Sequence, residues 1–304
     1  MAFLRLFWIW IFLLYTDQAI HAQKEIVSDS TIAATVLMDE VVVTPQNVKW
    51  TAKDFIEIMK KDTSLYEAFS QLRQMNYQGS YETKFYDKKG WAEASSIILT
   101  EQNCQKKCCS NKIIKDWNFG PIKDKDGNYE YLTLQLLHQL FLRETTYCQN
   151  AVKNNSDDES SNPLDYVKQI IFQPGQAIDF PLIGHKTAIF SARHYKKYEY
   201  RLQWSKDKDI DHKFTATLRP KHQETLPIQY LETWFSPSDL SIKRRKLYIK
   251  EDNWLVSAQI TLDIQLQSLA GSHSVPSRMS YNGVWKIPGK SEERGSFLIQ
   301  IHPK

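Results

Sequence analysis

Hydrophobic and polar residues alternate most clearly in the C-terminal third of the chain. The stretch Val256 to Gln267, "VSAQITLDIQLQ", places apolar side chains at every even position and polar side chains at every odd position. This period of two is typical of a strand with one buried and one solvated face. The same alternation begins near residue 196 and continues through "SRMSYNGVWKIP" and "RGSFLIQIHP". We therefore predict a succession of antiparallel strands.

Helical spacing of apolar residues is confined to four short stretches. Thr51 before "AKD" and Ser64 before "LYE" fit the capping-box pattern, and they predict helices over 52–60 and 65–75. Two more helices are predicted over 134–142 and 164–172. Between these stretches, "DKKG" predicts a turn joining two strands, and Asp126-Gly127 is a strong hairpin signal.

Long alternating strands present one large apolar face that must be covered. The predicted helices are too few to cover both faces of a sheet. We therefore predict a mainly β protein with a few helices (α+β), built as a strongly curved antiparallel sheet or incomplete barrel with short helices on its concave face. A closed barrel or a two-sheet sandwich is the alternative.

The N-terminus predicts export. Arg5 precedes an apolar run from Leu6 to Tyr15, and small and polar residues lead to a plausible cleavage point after Ala22. This is the pattern of a secretory signal peptide, and the run is shorter than the roughly 20 residues of a membrane span. We predict a signal peptide at 1–22, an extended leader at 23–50 and a single β-rich domain at 51–304. The polar segment at about 150–162 is predicted to be a disordered loop.

The four cysteines are Cys104, Cys108, Cys109 and Cys148. Cysteines of exported proteins usually pair, and four of them allow three connectivities. One connectivity joins the adjacent Cys108 and Cys109, which would form a strained ring. Both remaining connectivities join Cys148 to Cys108 or Cys109, with a structural role. The spacing does not fit a zinc site, and a redox site with an exposed thiol is the alternative.

The net charge of +4 is modest for 304 residues. A nucleic-acid binder would show a concentrated basic stripe, so we predict no nucleic-acid partner. The one dense basic stretch, "SIKRRKLYIK", alternates with apolar residues. It predicts the solvated face of a strand.

Catalytic signatures are scarce. The sequence contains no G-x-S-x-G, S-x-x-K or H-E-x-x-H. "GVWKIPGKS" has five residues between its glycines and strand-like flanks, so it predicts a turn rather than a phosphate-binding loop. Asp209, Asp211 and His212, with His222 and Glu224 nearby, are the weak candidates for a metal-dependent hydrolase. Turns between strands commonly carry the same residues.

The stretch "MDEVVVTPQ", residues 38–46, resembles the leader of many TonB-dependent receptors and carboxypeptidase-regulatory-like exported proteins. With "KKDTSLYEAFSQLRQMNYQGSYETKFYDKKG" and "SYNGVWKIP", the chain looks like an uncharacterised exported Gram-negative family that shares this leader. In architecture alone it resembles periplasmic carriers of the LolA/LolB type. That resemblance implies an incomplete antiparallel barrel with helices at its mouth, and it brings no catalytic residues.

From these observations we predict a non-catalytic periplasmic or outer-membrane-associated binding protein without a cofactor. Its predicted ligand is apolar, such as a lipid or an acyl chain. The alternatives are a metal-dependent hydrolase that uses the 209–224 region and an accessory or structural subunit with an outer-membrane protein as partner.

Overall fold

A computed structural model describes residues 50–105, 108–142, 146–148, 169–178, 184–204, 211–223, 225–253, 257–269, 274–286 and 289–304. The predicted signal peptide, the leader up to residue 49 with its "MDEVVVTPQ" stretch, and the loop at about 150–162 lie outside these residues. So do two candidate metal ligands, Asp209 and Glu224.

One antiparallel sheet of eleven strands dominates the fold. Its strands are β1 Tyr77–Tyr86, β2 Ala92–Gln105, β3 Cys108–Phe119, β4 Tyr147–Cys148, β5 Tyr198–Gln203, β6 His212–Leu218, β7 Ile228–Phe235, β8 Ile242–Asp252, β9 Ser257–Ser268, β10 Ser274–Lys286 and β11 Glu293–Pro303. They lie in the order β4-β3-β2-β1-β11-β10-β9-β8-β7-β6-β5. The order does not close on itself, so the predicted open antiparallel sheet is confirmed and the closed barrel is excluded.

The sheet consists of two runs of neighbouring strands that meet at β1 and β11. These two strands pair from Tyr77 opposite Pro303 to Phe85 opposite Gly295. One run leads from β1 through β2 and β3 to the short β4, and the other leads from β11 back to β5. The junction therefore joins the first and last strands of the described chain in the middle of the sheet.

Three short helices cover one face of the sheet, here called the inner face. They are α1 Ala52–Lys61, α2 Ser64–Leu72 and α3 Leu132–Leu137, and α3 continues as a π-helical turn over His138–Leu142. These match the predicted helices closely. The described part of the fourth, residues 169–172, is also helical. Thr51 forms the predicted capping box with Asp54, whereas the cap of α2 is Thr63 rather than Ser64.

The turns also follow the sequence signals. In the "DKKG" turn, the Gly90 amide donates to the Asp87 carbonyl at 3.0 Å, and Gly90 has a φ of 85°. The Asp126-Gly127 turn is present, but its flanking residues form only one β-bridge, between Lys123 and Tyr129. Glycine adopts a positive φ without a steric penalty, which is why both turns carry it.

The predicted alternation along β9 is confirmed. Ala258, Leu262, Ile264 and Leu266 are buried, whereas Gln259 is exposed. One row of paired residues crosses the inner face of nine of the eleven strands, from β2 to β5: Ile98, Tyr81, Ile299, Met279, Ile264, Arg245, Thr233, Phe214 and Leu202. The core therefore lies between this face and the helices.

Two glycines let aromatic rings lie close to the strand backbone at the centre of the inner face. A Cβ atom on Gly79 would lie 2.6 Å from the Tyr81 hydroxyl oxygen, and one on Gly283 would clash with the Tyr281 hydroxyl. Glycines in strand interiors commonly mark such close approaches and bends. On β1 and β10, Tyr81 and Tyr281 thus fill the space that a side chain at Gly79 or Gly283 would otherwise occupy.

Candidate functional site

The inner face is apolar and is covered by the helices. Phe55 of α1 packs edge-on against Phe235 of β7 with ring centroids 4.9 Å apart. Tyr131, just before α3, stacks on Phe85 of β1 at 3.6 Å. The sheet therefore offers an apolar interior that is closed by separate short helices.

Buried hydroxyl groups interrupt this interior, among them one pair on neighbouring strands. Thr83 of β1 and Ser96 of β2 lie opposite each other, and both are nearly inaccessible to water. Within the described part of the chain, neither hydroxyl has a hydrogen-bond partner. Buried polar groups normally find a partner in protein or ordered water. This pair is therefore a polar point in the apolar interior at which a ligand atom or a water molecule would be stabilised.

Large apolar side chains are exposed at one corner of the sheet. This β2–β3 apolar surface comprises Trp91, Ile97, Ile114, Trp117 and Phe119, which are exposed by 73%, 42%, 48%, 52% and 65%. Ile97 and Trp117 lie directly opposite each other on neighbouring strands. The Lys115 ammonium lies 5.0 Å from the centre of the Trp117 ring. Clustered exposed apolar groups of this kind usually mark a site of interaction.

Two disulfides hold the opposite end of the β2–β3 hairpin. One joins Cys104 to Cys109 and the other joins Cys108 to Cys148. Cys108 and Cys109 are consecutive residues of β3, so their side chains point to opposite faces of the sheet. The first bridge therefore closes the hairpin on one face, and the second attaches β4 to its edge on the other.

A polar groove of about 770 Å³ lies on the outer face of β5, β6 and β7. The groove is lined by Glu199, Arg201, Leu202, Gln203, Lys213, Thr215, Thr217, Tyr230 and Glu232. In β6 these residues alternate with the buried Phe214, Ala216 and Leu218. Apart from Leu202, which belongs to the inner-face row, the lining residues thus lie on the opposite side of the sheet from the core.

The weak candidates for metal ligands that the structure describes, Asp211, His212 and His222, do not lie together. Asp211 is exposed, and His212 is buried with its ring stacked 3.5 Å from that of Trp204. His222 follows the far end of β6, and a strand of seven residues separates the two histidines by about 20 Å. No group of three potential ligands occurs in the described ranges. Burial lowers the pKa of His212 below its ordinary value, which keeps the ring neutral.

The interpretation of "SIKRRKLYIK" as the solvated face of a strand was wrong at one position. The segment does form β8, but Arg245 is only 3% exposed. Its Nη2 donates to the Asp62 carboxylate at 2.8 Å, and its Nε donates to the Thr233 hydroxyl at 3.3 Å. Arg245 lies two positions before the buried Leu247, so both side chains point to the same face of the strand. This alternation is visible in the sequence and would have placed Arg245 on the inner face.

No helix in the described ranges is long and apolar enough to cross a membrane. This finding applies to those residues alone.

Comparisons with known proteins gave no family assignment. No family model matches the chain, and no curated protein sequence matches it. Among solved structures, a putative outer membrane lipoprotein-sorting protein domain from Vibrio parahaemolyticus is 8% identical, covers 84% of this chain and 94% of its own, and has a TM-score of 0.27. A DUF1329 family protein from Desulfovibrio piger is 10% identical. The match covers 85% of this chain and 92% of that protein's chain, and its TM-score is 0.25. TM-scores this low establish no common fold or function.

Proposed function

We propose that this protein is an exported, membrane-associated binding protein that takes up an apolar or acyl ligand without catalysing a reaction. The observation that carries this proposal is the β2–β3 apolar surface. Tryptophan and phenylalanine bury large apolar areas when they leave water, and tryptophan is enriched where a membrane meets water. A lipid surface is therefore the occupant that suits these side chains.

Charge near this surface favours an anionic bilayer. Lys88 and Lys89 precede Trp91, and Lys115 lies two positions before Trp117, so ammonium groups accompany the aromatic side chains. Lysine side chains lay their methylene groups along apolar surface and keep the ammonium group in water. The position of Lys115 over Trp117 matches this behaviour. Basic groups near an anionic membrane add to the attraction from apolar burial.

The ligand would lie between the inner face and the helices. This layer is filled by the apolar core, so an acyl chain would enter it where a helix moves aside, and the unpartnered hydroxyls of Thr83 and Ser96 would offer hydrogen bonds to a polar head or ester group. The helices α1, α2 and α3 are short and separate, so one of them can move without disrupting the sheet.

Vesicle flotation tests the membrane part of the proposal. Wild-type protein should float with vesicles of phosphatidylglycerol and phosphatidylethanolamine, and the variant carrying Trp117→Ser and Phe119→Ser should float several-fold less. Tyr195→Ser is the matched control, because Tyr195 is 42% exposed outside this surface. Equal flotation of all three proteins, or none for the wild type, would contradict the proposal.

Lipid extraction tests the ligand part. Protein purified without detergent should release a stoichiometric lipid or fatty acid that mass spectrometry identifies. A protein that releases none, and that fails to bind a fluorescent fatty acid in titration, is not an acyl carrier.

A further inference from the structure

The outer groove described above has a regular construction that the proposed lipid function does not use. Three residues of each strand face it or flank it in register. The rows are Glu199, Thr217 and Tyr230, then Arg201, Thr215 and Glu232, then Gln203, Lys213 and Trp234. Because strands pair directly, residues of one row lie side by side on the same face of the sheet.

Side-chain size explains why this face is concave. The middle strand β6 contributes Thr215 and Thr217, which are short, whereas β5 and β7 contribute long or aromatic side chains on either side. The threonines form a floor and the neighbours form two walls. The volume of about 770 Å³ falls within the range of roughly 300–1,000 Å³ that is usual for small-molecule sites.

The charges that line the groove cancel in pairs. The Arg201 guanidinium lies 2.8 Å from the Glu199 carboxylate, and the Lys213 ammonium lies 2.9 Å from the Glu232 carboxylate. The Glu232 side chain is only 9% exposed, so this second pair is built into the wall. A charged ligand would have to compete with a partner that is already present. A neutral ligand avoids that competition and still receives charge-assisted hydrogen bonds.

We propose that this groove binds a neutral, hydroxyl-rich ligand of the oligosaccharide class. Each ion pair offers a donor and an acceptor side by side, and each sugar hydroxyl both donates and accepts a hydrogen bond. The threonine hydroxyls of the floor have the same dual capacity. The Tyr230 ring supplies an aromatic surface against which the C–H face of a sugar ring packs.

The state of Tyr230 fits this role. Burial, and then hydrogen bonding to the Glu232 carboxylate, raise the pKa of Tyr230 well above its ordinary value. The phenol donates its hydrogen bond to that carboxylate, which leaves its oxygen as an acceptor for a ligand hydroxyl. The proposal rests on the groove and not on the β2–β3 apolar surface, so it stands or falls separately from the lipid function.

Isothermal titration calorimetry with four neutral tetrasaccharides tests the proposal: chitotetraose, cellotetraose, maltotetraose and laminaritetraose. At least one should bind the wild-type protein. Arg201→Gln removes a wall donor, and Thr217→Leu fills the floor. Each should weaken that binding at least about tenfold.

Arg294→Gln is the matched control for the wall variant. Arg294 is also partly exposed and also pairs with the carboxylate two positions before it, Glu292, but it lies outside the groove. The Arg294→Gln variant should bind the tetrasaccharide as tightly as the wild-type protein does. Failure of all four tetrasaccharides to bind, or equal binding by the groove variants and the control, would overturn the proposal. Retained vesicle flotation in either case would show that the lipid function is unaffected.

Discussion

Glu293, at the start of β11, accepts hydrogen bonds from both the backbone amide and the hydroxyl of Thr133, which lies 160 positions earlier. Its carboxylate also accepts from the Leu132 amide at 2.6 Å and from the Trp285 indole at 3.1 Å. Tyr131, at the N-cap of α3, provides no side-chain capping hydrogen bond to the helix. Strand β11, the last strand along the chain, therefore supplies the cap of this helix. The four hydrogen bonds compensate the free-energy cost of burying the carboxylate.

Glu293→Ala should lower the free energy of unfolding by about 3 kcal/mol, because it leaves buried donors without an acceptor. Glu292→Ala, next to it but in an exposed ion pair, should cost less than about 1 kcal/mol. Urea unfolding measures both. Equal midpoints for the two variants would show that the cap contributes no stability.

Removal of Asp62 tests the buried ion pair with Arg245. Asp62→Ala should destabilise the protein by about 3 kcal/mol, because Arg245 would remain buried without its partner. The further change Arg245→Met should recover much of this loss, since an apolar side chain then replaces the unpaired charge. Glu57→Ala breaks the exposed pair with Lys60 and serves as the control. A double variant less stable than Asp62→Ala alone would contradict this account.

The two disulfides should differ in their contribution to stability. Cys108 and Cys148 are 40 positions apart, and Cys104 and Cys109 are 5 apart. The chain-entropy model then gives roughly 4 kcal/mol for the longer loop and roughly 2 kcal/mol for the shorter one. Paired Cys→Ser variants of each bridge, compared by urea unfolding, test the order. Peptide mapping under non-reducing conditions tests the connectivity, and a Cys104–Cys148 peptide would refute it.

Mild acid should destabilise the protein through His194. Burial, which outweighs a hydrogen bond to the Ala188 carbonyl, lowers the pKa of His194 in the folded state. The unfolded chain therefore binds a proton first, at about pH 6.5. Stability is fully present above that pH and declines as the pH falls towards the folded-state pKa. His212 acts in the same direction.

His194→Gln should reduce the loss of stability between pH 7 and pH 5, measured as the change in the urea midpoint across that range. His302→Gln, at an exposed position of β11, should leave the loss unchanged. A His194→Gln variant that loses as much stability as the wild type would exclude this residue as the cause.

Local signals in the sequence were sufficient for the helices and for most strands. The capping box at Thr51 and the alternation along β9 depend only on neighbouring residues, so a single sequence reveals them. The same reasoning predicted an open sheet covered by helices on one face. It did not predict the pairing of β1 with β11, because register between distant strands leaves no local pattern.

The functional surfaces were harder to predict for the same reason. The outer groove exists because Thr215 lies between Arg201 and Glu232, which requires two strand registers at once. Sequence proximity instead drew attention to His212 and His222, which the length of β6 keeps apart. Glu293 gave no signal of its capping role either, since Leu132 and Thr133 are about 160 positions away.

The junction of β1 and β11 also determines when the sheet can be completed. The eleven-residue strand β11 lies between β1 and β10, so a chain that lacks it leaves one edge of β1 and one edge of β10 unpaired. The two halves of the sheet therefore join only once residues 293–303 are present. Each half already pairs its own strands, so β11 is the element that turns two separate antiparallel sheets into one.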